Sequence, residues 1–135
     1  MNLILDNPTT VTAPFGDRFA HVARLDLPGG ALLMLSGQVG VDDAGAVVAP
    51  GDVRTQSERI FELISALLAA HDATFANVLH VRTFMTDLGD LADYADVRNR
   101  YFGQTRPAST TVEVSRLFLD GAVLEVEVTA AVATG

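Results

Sequence analysis

Cysteine and lysine are both absent from this chain of 135 residues. Without cysteine, the chain can form no disulfide and offers no thiolate nucleophile. Without lysine, no side chain can form a Schiff base with a carbonyl substrate. All nine basic side chains are therefore arginines. These absences exclude thiolate catalysis and lysine imine catalysis.

Positive charge is scarce and scattered along the chain. Nine basic residues stand against seventeen acidic ones, which gives a formal net charge of -8. Binding to a phosphate backbone depends on clustered cations that release counterions. A nucleic-acid partner is therefore not expected, and ribonuclease activity conflicts with this charge.

The sequence has no long hydrophobic run. The apolar segment Ala31–Leu35 is far too short to cross a bilayer. The first residues, Met1 to Asp6, lack the basic segment of a secretory leader. We therefore expect a cytoplasmic protein that has no membrane partner.

Motifs for metals, phosphates and serine nucleophiles are also missing. His21, His71 and His80 are dispersed, and no HExxH or i, i+4 pair of ligands occurs. No G-x-S-x-G surrounds Ser36, and the glycines form neither a P-loop nor a dinucleotide fingerprint. We expect no metal site and no cofactor.

The sequence is rich in apolar residues. The hydrophobic fraction is 49% and the mean hydropathy is +0.29. The length is that of one domain, 1–135, with one core. So apolar a composition predicts that other copies of the chain cover part of the surface.

The periodicity predicts the order ββαβαββ. A hairpin turns at Pro28-Gly29-Gly30, and a long helix begins after Gly51 and Asp52, its apolar residues at helical spacing. This order predicts an α+β fold in which two helices cover one face of a mixed sheet. The predicted strands are Phe19–Leu27, Ala31–Leu35, Val78–Met85, Thr111–Leu117 and Ala122–Val132, and the predicted helices run from Asp52 to His71 and from Leu91 to Phe102.

The last strand alternates between apolar and polar residues. Leu124, Val126 and Val128 share one face, whereas Glu125 and Glu127 share the other. Glu127 has two interpretations, a solvated outward carboxylate or, if another subunit covers this face, a desolvated base. Strand Ala31–Leu35 does not alternate, which predicts burial on both faces.

Several motifs occur together in a family-specific order. The motifs are Ser36-Gly37-Gln38, Gln56 on the long helix, Phe84-Met85-Thr86-Asp87-Leu88, Arg106-Pro107-Ala108, Val112-Glu113-Val114 and Glu125-Val126-Glu127. In these motifs, from about Phe19 to Val132, the chain resembles the RidA (YjgF) family of reactive intermediate deaminases.

The resemblance implies a chorismate-mutase-like (RidA-like) fold assembled as a homotrimeric barrel. Each interface between subunits would form a cleft for a small-molecule ligand. Well-studied members of the family hydrolyse enamines and imines derived from amino acids, which releases ammonia and a keto acid without metal or organic cofactor.

The same resemblance implies a set of site residues. Glu127 is matched with the family's water-activating glutamate, and Ser36 and Gly37 match the ligand pocket. At four positions the chain departs from the family pattern: Phe19 replaces a tyrosine, Ala95 an asparagine, Thr111 a cysteine, and Ser109 the arginine that holds the substrate carboxylate. His21 lies two residues after Phe19 and is expected to reach the same cleft.

Two functions follow from these features. The first is deaminase-like hydrolysis of a small enamine or imine to a carbonyl compound and ammonia, with Glu127 as the catalytic residue. Because Ser109 cannot neutralise a carboxylate as arginine does, the substrate should not be one of the usual amino-acid-derived imines. The alternative is a non-catalytic trimer that binds a small metabolite.

Overall fold

The computed structural model describes residues 1–134, apart from the side chain of Asp17. In these residues one seven-stranded sheet has the order β1-β2-β3-β7-β5-β6, and β4 also pairs with β7. Helices α1 (Val53–Ala69) and α2 (Leu91–Phe102) accompany the sheet, and 3-10 turns lie at Phe15–Asp17, Phe75–Asn77 and Leu88–Asp90. The strands are β1 (Asn2–Asp6), β2 (Val22–Leu27), β3 (Gly30–Leu35), β4 (Gln38–Val39), β5 (Val78–Met85), β6 (Ala108–Glu113) and β7 (Leu124–Ala133).

The α+β class with a mixed sheet is confirmed. Strand β6 runs parallel to β5, and every other pairing is antiparallel. The last two strands are not neighbours, because β7 inserts between β3 and β5. Strand β6 therefore occupies one edge of the sheet and β1 the other.

Some predicted bounds were wrong. Strand β1 was not predicted, because it pairs only with β2 and leaves Leu3 and Leu5 exposed, so no alternation marks it. Strand β6 begins at Ala108 rather than Thr111, since its pairing with β5 starts directly after Pro107. Helix α1 ends at Ala69 and does not reach His71.

Helix α1 begins where the sequence predicts. The Asp52 carboxylate accepts hydrogen bonds from the backbone N–H groups of Arg54 (3.1 Å) and Thr55 (3.2 Å), which caps the helix. These bonds favour the ionised form and lower the pKa of Asp52. In the described residues, no helix combines the length and the apolar character that crossing a membrane requires.

The core lies between the helices and one face of the sheet. Leu33, Val81 and Val126 from the sheet are fully buried there, together with Ile60 and Phe61 of α1. The prediction that β3 is buried on both faces was wrong for the single chain, because Met34 is 51% exposed on the other face. Apolar side chains of β1, β2 and β3 thus remain uncovered on that open face.

Candidate functional site

A cavity of about 450 Å³ opens where strand β3 ends. Its wall combines the segment before β2, the β3–β4 turn, the segment after β4 and the loop before β7. Apolar side chains on the wall include Val11, Pro14, Phe15, Phe19, Val39 and Phe118, and the polar ones are Thr12, His21, Ser36, Gln38, Asp42 and Glu125.

Four of the predicted site residues line this cavity. They are Phe19, His21, Ser36 and Gly37. The turn after β3 brings Ser36 and Gly37 to the wall, and Ser36 N–H donates to the His21 carbonyl (2.9 Å), which joins the two segments.

The glutamate on the cavity wall is Glu125 and not Glu127. Strand β4 reaches only the start of β7, where Val39 pairs with Glu125. Glu127 lies opposite Arg82 of β5, and its carboxylate pairs with the Arg82 guanidinium at 2.7 Å. The glutamate at the cavity is therefore two residues earlier on β7 than the predicted one, on the same face of the strand.

The Glu125 carboxyl is desolvated. Burial raises the pKa of Glu125, and repulsion from the nearby Glu127 carboxylate raises this pKa further. No hydrogen bond or cation of the described residues opposes these two effects. A carboxyl with a raised pKa in a cavity suits proton transfer to and from a bound molecule.

His21 is buried and both of its ring nitrogens are engaged. Nε2 lies 2.7 Å from the Thr12 carbonyl oxygen, which can only accept, so Nε2 carries the proton. Nδ1 then accepts from Gln38 Nε2 (3.2 Å), which also donates to the Ser36 carbonyl (3.0 Å). His21 thus connects three segments of the wall, and neither of its ring nitrogens is free to act as a base.

The Ser36 hydroxyl can only accept from an occupant. Its single proton is donated to the Ala20 carbonyl oxygen at 2.7 Å. The lone pairs of Ser36 Oγ remain, so this group can receive a hydrogen bond from an N–H of a ligand.

The described wall of the cavity contains two carboxylates and no arginine. Besides Glu125, Asp42 contributes its carboxylate, whose Oδ1 accepts hydrogen bonds from the N–H groups of Ala44 and Ala46 at 2.9 Å. The site therefore favours a neutral or cationic occupant over an anion.

The other predicted site residues lie elsewhere. Ser109 and Thr111 are on the edge strand β6, paired with Val81 and Thr83, and so face the side of the sheet that α2 covers. Ala95 lies on α2 itself. Within one chain, these three small residues do not contribute to the cavity.

Arg106 does not replace the missing cation. It borders a separate cavity of about 380 Å³ at the end of α2, together with Arg98, and its guanidinium donates to the Gly103 carbonyl at 3.2 Å. In residues 1–134, no cluster of three or more His, Asp or Glu side chains could hold a metal ion.

Sequence reasoning missed Glu125, Asp42, Phe15 and Phe118 as wall residues. Glu125 and Glu127 share a strand face, so alternation could not distinguish them. Strand pairing is the signal that distinguishes them. The short strand β4, which follows Ser36 and Gly37, pairs with the start of β7, and Val39 lies opposite Glu125.

Comparisons with known proteins agree with this architecture. The family model described as endoribonuclease L-PSP matches residues 18–132. Protein DfrA of Myxococcus xanthus is 43% identical over 88 residues, 65% of this chain and 67% of DfrA. The 2-iminobutanoate/2-iminopropanoate deaminase of Bos taurus is 31% identical over 91 residues, 67% of this chain and 66% of the deaminase.

The solved structures show the same fold. The structure of YyfA from Yersinia pestis, of the Rid protein family, superposes with a TM-score of 0.85 at 27% identity and covers 97% of this chain and all of YyfA. The matched segment, 18–132, includes the cavity wall from Phe19 onward and every strand except β1. The chain therefore belongs to the endoribonuclease L-PSP family, the RidA (YjgF) family.

Proposed function

We infer that the protein hydrolyses the C=N bond of a small imine, or of the enamine tautomer, to a carbonyl compound and ammonia. The observation that carries this proposal is the desolvated Glu125 carboxyl on the wall of a cavity without cations. The bovine relative that is named for imine deamination supports the reaction class. Glu125 takes the role that the sequence assigned to Glu127.

The reaction needs one group that both removes and returns a proton. Ionised Glu125 takes a proton from water as the water oxygen adds to the carbon of the protonated imine. The resulting carbinolamine accepts that proton on nitrogen, and the C–N bond breaks to release ammonia. The remaining O–H proton returns to Glu125 or to solvent as the carbonyl forms, so one water is consumed for each ammonia.

A homotrimer would complete the site. Ser109 and Thr111 lie on the helix side of the edge strand β6 and Ala95 lies on α2, while the cavity lies near the start of β7. The exposed edge of β6, with Val112 uncovered, and the exposed Met34 leave apolar and unpaired surface for a second copy. In the proposed assembly the small residues of one subunit face the cavity of the next, as a ligand cleft.

The substrate lacks a carboxylate at the position where family members bind one. Neither the described cavity wall nor Ser109, Thr111 or Ala95 supplies a guanidinium. A charged hydrogen bond from arginine contributes about 1.5–3 kcal/mol, and a serine hydroxyl cannot supply it. Amino-acid-derived imines are therefore poor substrates.

A second function, binding without turnover, is favoured by one observation. Both ring nitrogens of His21 are engaged, which leaves Glu125 as the one desolvated titratable group on the described cavity wall that is positioned for proton transfer. A cleft with a single such group can hold a metabolite without converting it.

Ammonia release from freshly generated imines that lack a carboxylate distinguishes the two functions. The proposed hydrolase accelerates release over the uncatalysed rate, and Glu125→Gln lowers the acceleration at least about 100-fold, the usual contribution of acid–base catalysis. Binding of such compounds to the wild-type protein without any acceleration would instead establish the binding role.

A further inference from the structure

Three phenylalanines from separate segments lie on the cavity wall. Phe15 and Phe19 precede β2, and Phe118 lies in the loop before β7. The rings of Phe15 and Phe118 meet edge to face, with centroids 5.6 Å apart. Phe15 is 43% exposed and Phe118 is 62% exposed, so both rings keep free surface beside the cavity.

The charge on the same wall has one sign. Glu125 and Asp42 both line the cavity, and the described wall carries no arginine. Only Oδ1 of Asp42 accepts from the backbone of its turn, which leaves Oδ2 without such a bond. Two carboxylates beside aromatic rings attract a cation by Coulomb interaction and by the negative faces of the rings.

The cavity is larger than a three- or four-carbon imine requires. Its volume of about 450 Å³ falls in the range of roughly 300–1,000 Å³ that is typical of pockets for larger organic ligands. A small imine would leave the phenylalanine rings without contact, whereas an apolar group on the ligand would cover them.

We propose that the cavity selects a positively charged nitrogen joined to an aryl or bulky apolar group, and that the substrate is the protonated imine of an aryl-bearing aldehyde or ketone. The choice of an imine rests on the function proposed above. The nitrogen lies toward Glu125 and the accepting Ser36 hydroxyl, and the ring lies against Phe15 and Phe118. The carbon of the C=N bond is then beside the group that activates water.

Three stable ligands test the positive charge and the phenyl ring as separate determinants of binding. Calorimetric titration of the full-length protein at pH 7 uses 2-phenylethylamine, ethylamine and 3-phenylpropionate. We expect 2-phenylethylammonium to bind at least about tenfold more tightly than ethylammonium, which lacks the ring, and than 3-phenylpropionate, which has the opposite charge. Equal or tighter binding of 3-phenylpropionate would overturn the proposal.

Variants assign the selectivity to the named side chains. Phe118→Ala should weaken binding of 2-phenylethylammonium about tenfold and leave ethylammonium unchanged. Leu91→Ala, which truncates another exposed apolar side chain outside the cavity, should change neither. Glu125→Gln should reduce the preference for the cation over 3-phenylpropionate. Unchanged affinities in both Phe118→Ala and Glu125→Gln would place the ligand elsewhere and refute the assignment.

Turnover is measured separately, so recognition and hydrolysis can fail independently. An amine oxidase acting on 2-phenylethylamine supplies the aryl imine in situ, and ammonia release is followed with and without the protein. Selective binding without accelerated release retains the recognition proposal and refutes the hydrolase. Accelerated hydrolysis of carboxylate-free imines, with no preference for a ring or a cation, supports the hydrolase and refutes the recognition proposal.

Discussion

Gly37 lies directly against the carboxyl group of Glu125. A Cβ atom at position 37 would stand 2.9 Å from Glu125 Cδ and closer still to Oε1. Space for the Glu125 side chain therefore depends on the absence of a side chain at position 37. Because Gly37 does not have a positive φ, the glycine serves this contact rather than backbone freedom.

Gly37→Ala should displace the Glu125 carboxyl without unfolding the protein. The clash involves the end of a flexible side chain, which can rotate away, so the melting temperature should fall by only a few degrees. Imine hydrolysis and cation binding should fall at least about tenfold, because a displacement of about 1 Å in a reacting group can cost about 100-fold in rate. Ammonia-release kinetics and thermal unfolding measure the two effects, and full activity would remove the contact from the mechanism.

Glu125→Gln should stabilise the protein at neutral pH. Burial and the Glu127 charge raise the pKa of Glu125, so the folded state binds its proton more tightly than the unfolded state. Stability is therefore lost as pH rises from the ordinary pKa of a glutamate to the raised one, and the deficit remains above it. The variant should melt higher than wild type at pH 7 and equally at pH 4. A lower melting temperature at pH 7 would contradict the desolvation argument.

Glu127→Gln is the matched control for activity. Glu127 shares the strand and face of Glu125, but its carboxylate is paired with Arg82 at 2.7 Å. This variant should keep hydrolysis within about threefold and should move the acid limb of the pH profile to lower pH, because it removes a charge that raises the pKa of Glu125. A loss at Glu127 as large as that at Glu125 would return the catalytic role to Glu127.

The fold followed from local patterns, whereas the position of the proposed catalytic glutamate did not. The cap at Asp52, the apolar stripe of α1 and the alternation of β7 are local, and each was recognised. Glu125 and Glu127 are equivalent in alternation, and strand pairing separates them, because Glu125 lies opposite Val39 and Glu127 opposite Arg82. Long-range register of this kind is set by the assembled sheet, so a single strand does not contain it.

The same reasoning explains the predicted residues that remain apart. Family resemblance grouped Ser36 with Ser109 and Thr111, but the topology places β6 at an edge and the cavity beside β4. Residues that meet only across an interface between copies leave no signal in one chain's secondary structure. Their shared role thus depends on the proposed trimer.

Ser109→Arg should create activity on an anionic imine. Wild-type protein should release ammonia from freshly generated 2-iminopropionate at the background rate, because the described cavity wall carries no arginine. An arginine at position 109 can bind the carboxylate in a bidentate manner, and a gain of about 1.5 kcal/mol corresponds to about tenfold in kcat/KM. Thr110→Arg adds the same charge on the other side of β6, beside Arg82, and should give no gain.

Robust turnover of 2-iminopropionate by the wild-type protein would contradict the interpretation of Ser109. Failure of Ser109→Arg, with the oligomer intact by light scattering, would support the non-catalytic alternative. An equal gain from Thr110→Arg would show that net charge alone attracts the substrate.

Gln56 connects helix α1 to the loop directly before β7, the strand that carries Glu125. Its fully buried amide donates to the carbonyls of Ala49 (3.1 Å) and Gly121 (2.9 Å) and accepts from the Val123 N–H (2.9 Å). In Gln56→Ala the carbonyls of Ala49 and Gly121 keep their bonds from the N–H groups of Asp52 and Gly51, whereas the Val123 N–H loses its acceptor. An unpaired group of this kind costs about 1–3 kcal/mol, so the free energy of unfolding should fall by about that amount. Urea denaturation measures this loss.

Glu62→Ala is the control on the same helix. Its carboxylate is exposed and pairs with Arg59 at 3.3 Å, so the free energy of unfolding should change by less than about 0.5 kcal/mol. Because Val123 is two residues before Glu125, the Gln56→Ala protein should also lose cation binding under conditions where it remains native by circular dichroism. Equal stability of the two variants would show that water replaces the Gln56 amide and that the start of β7 is held by its strand pairing alone.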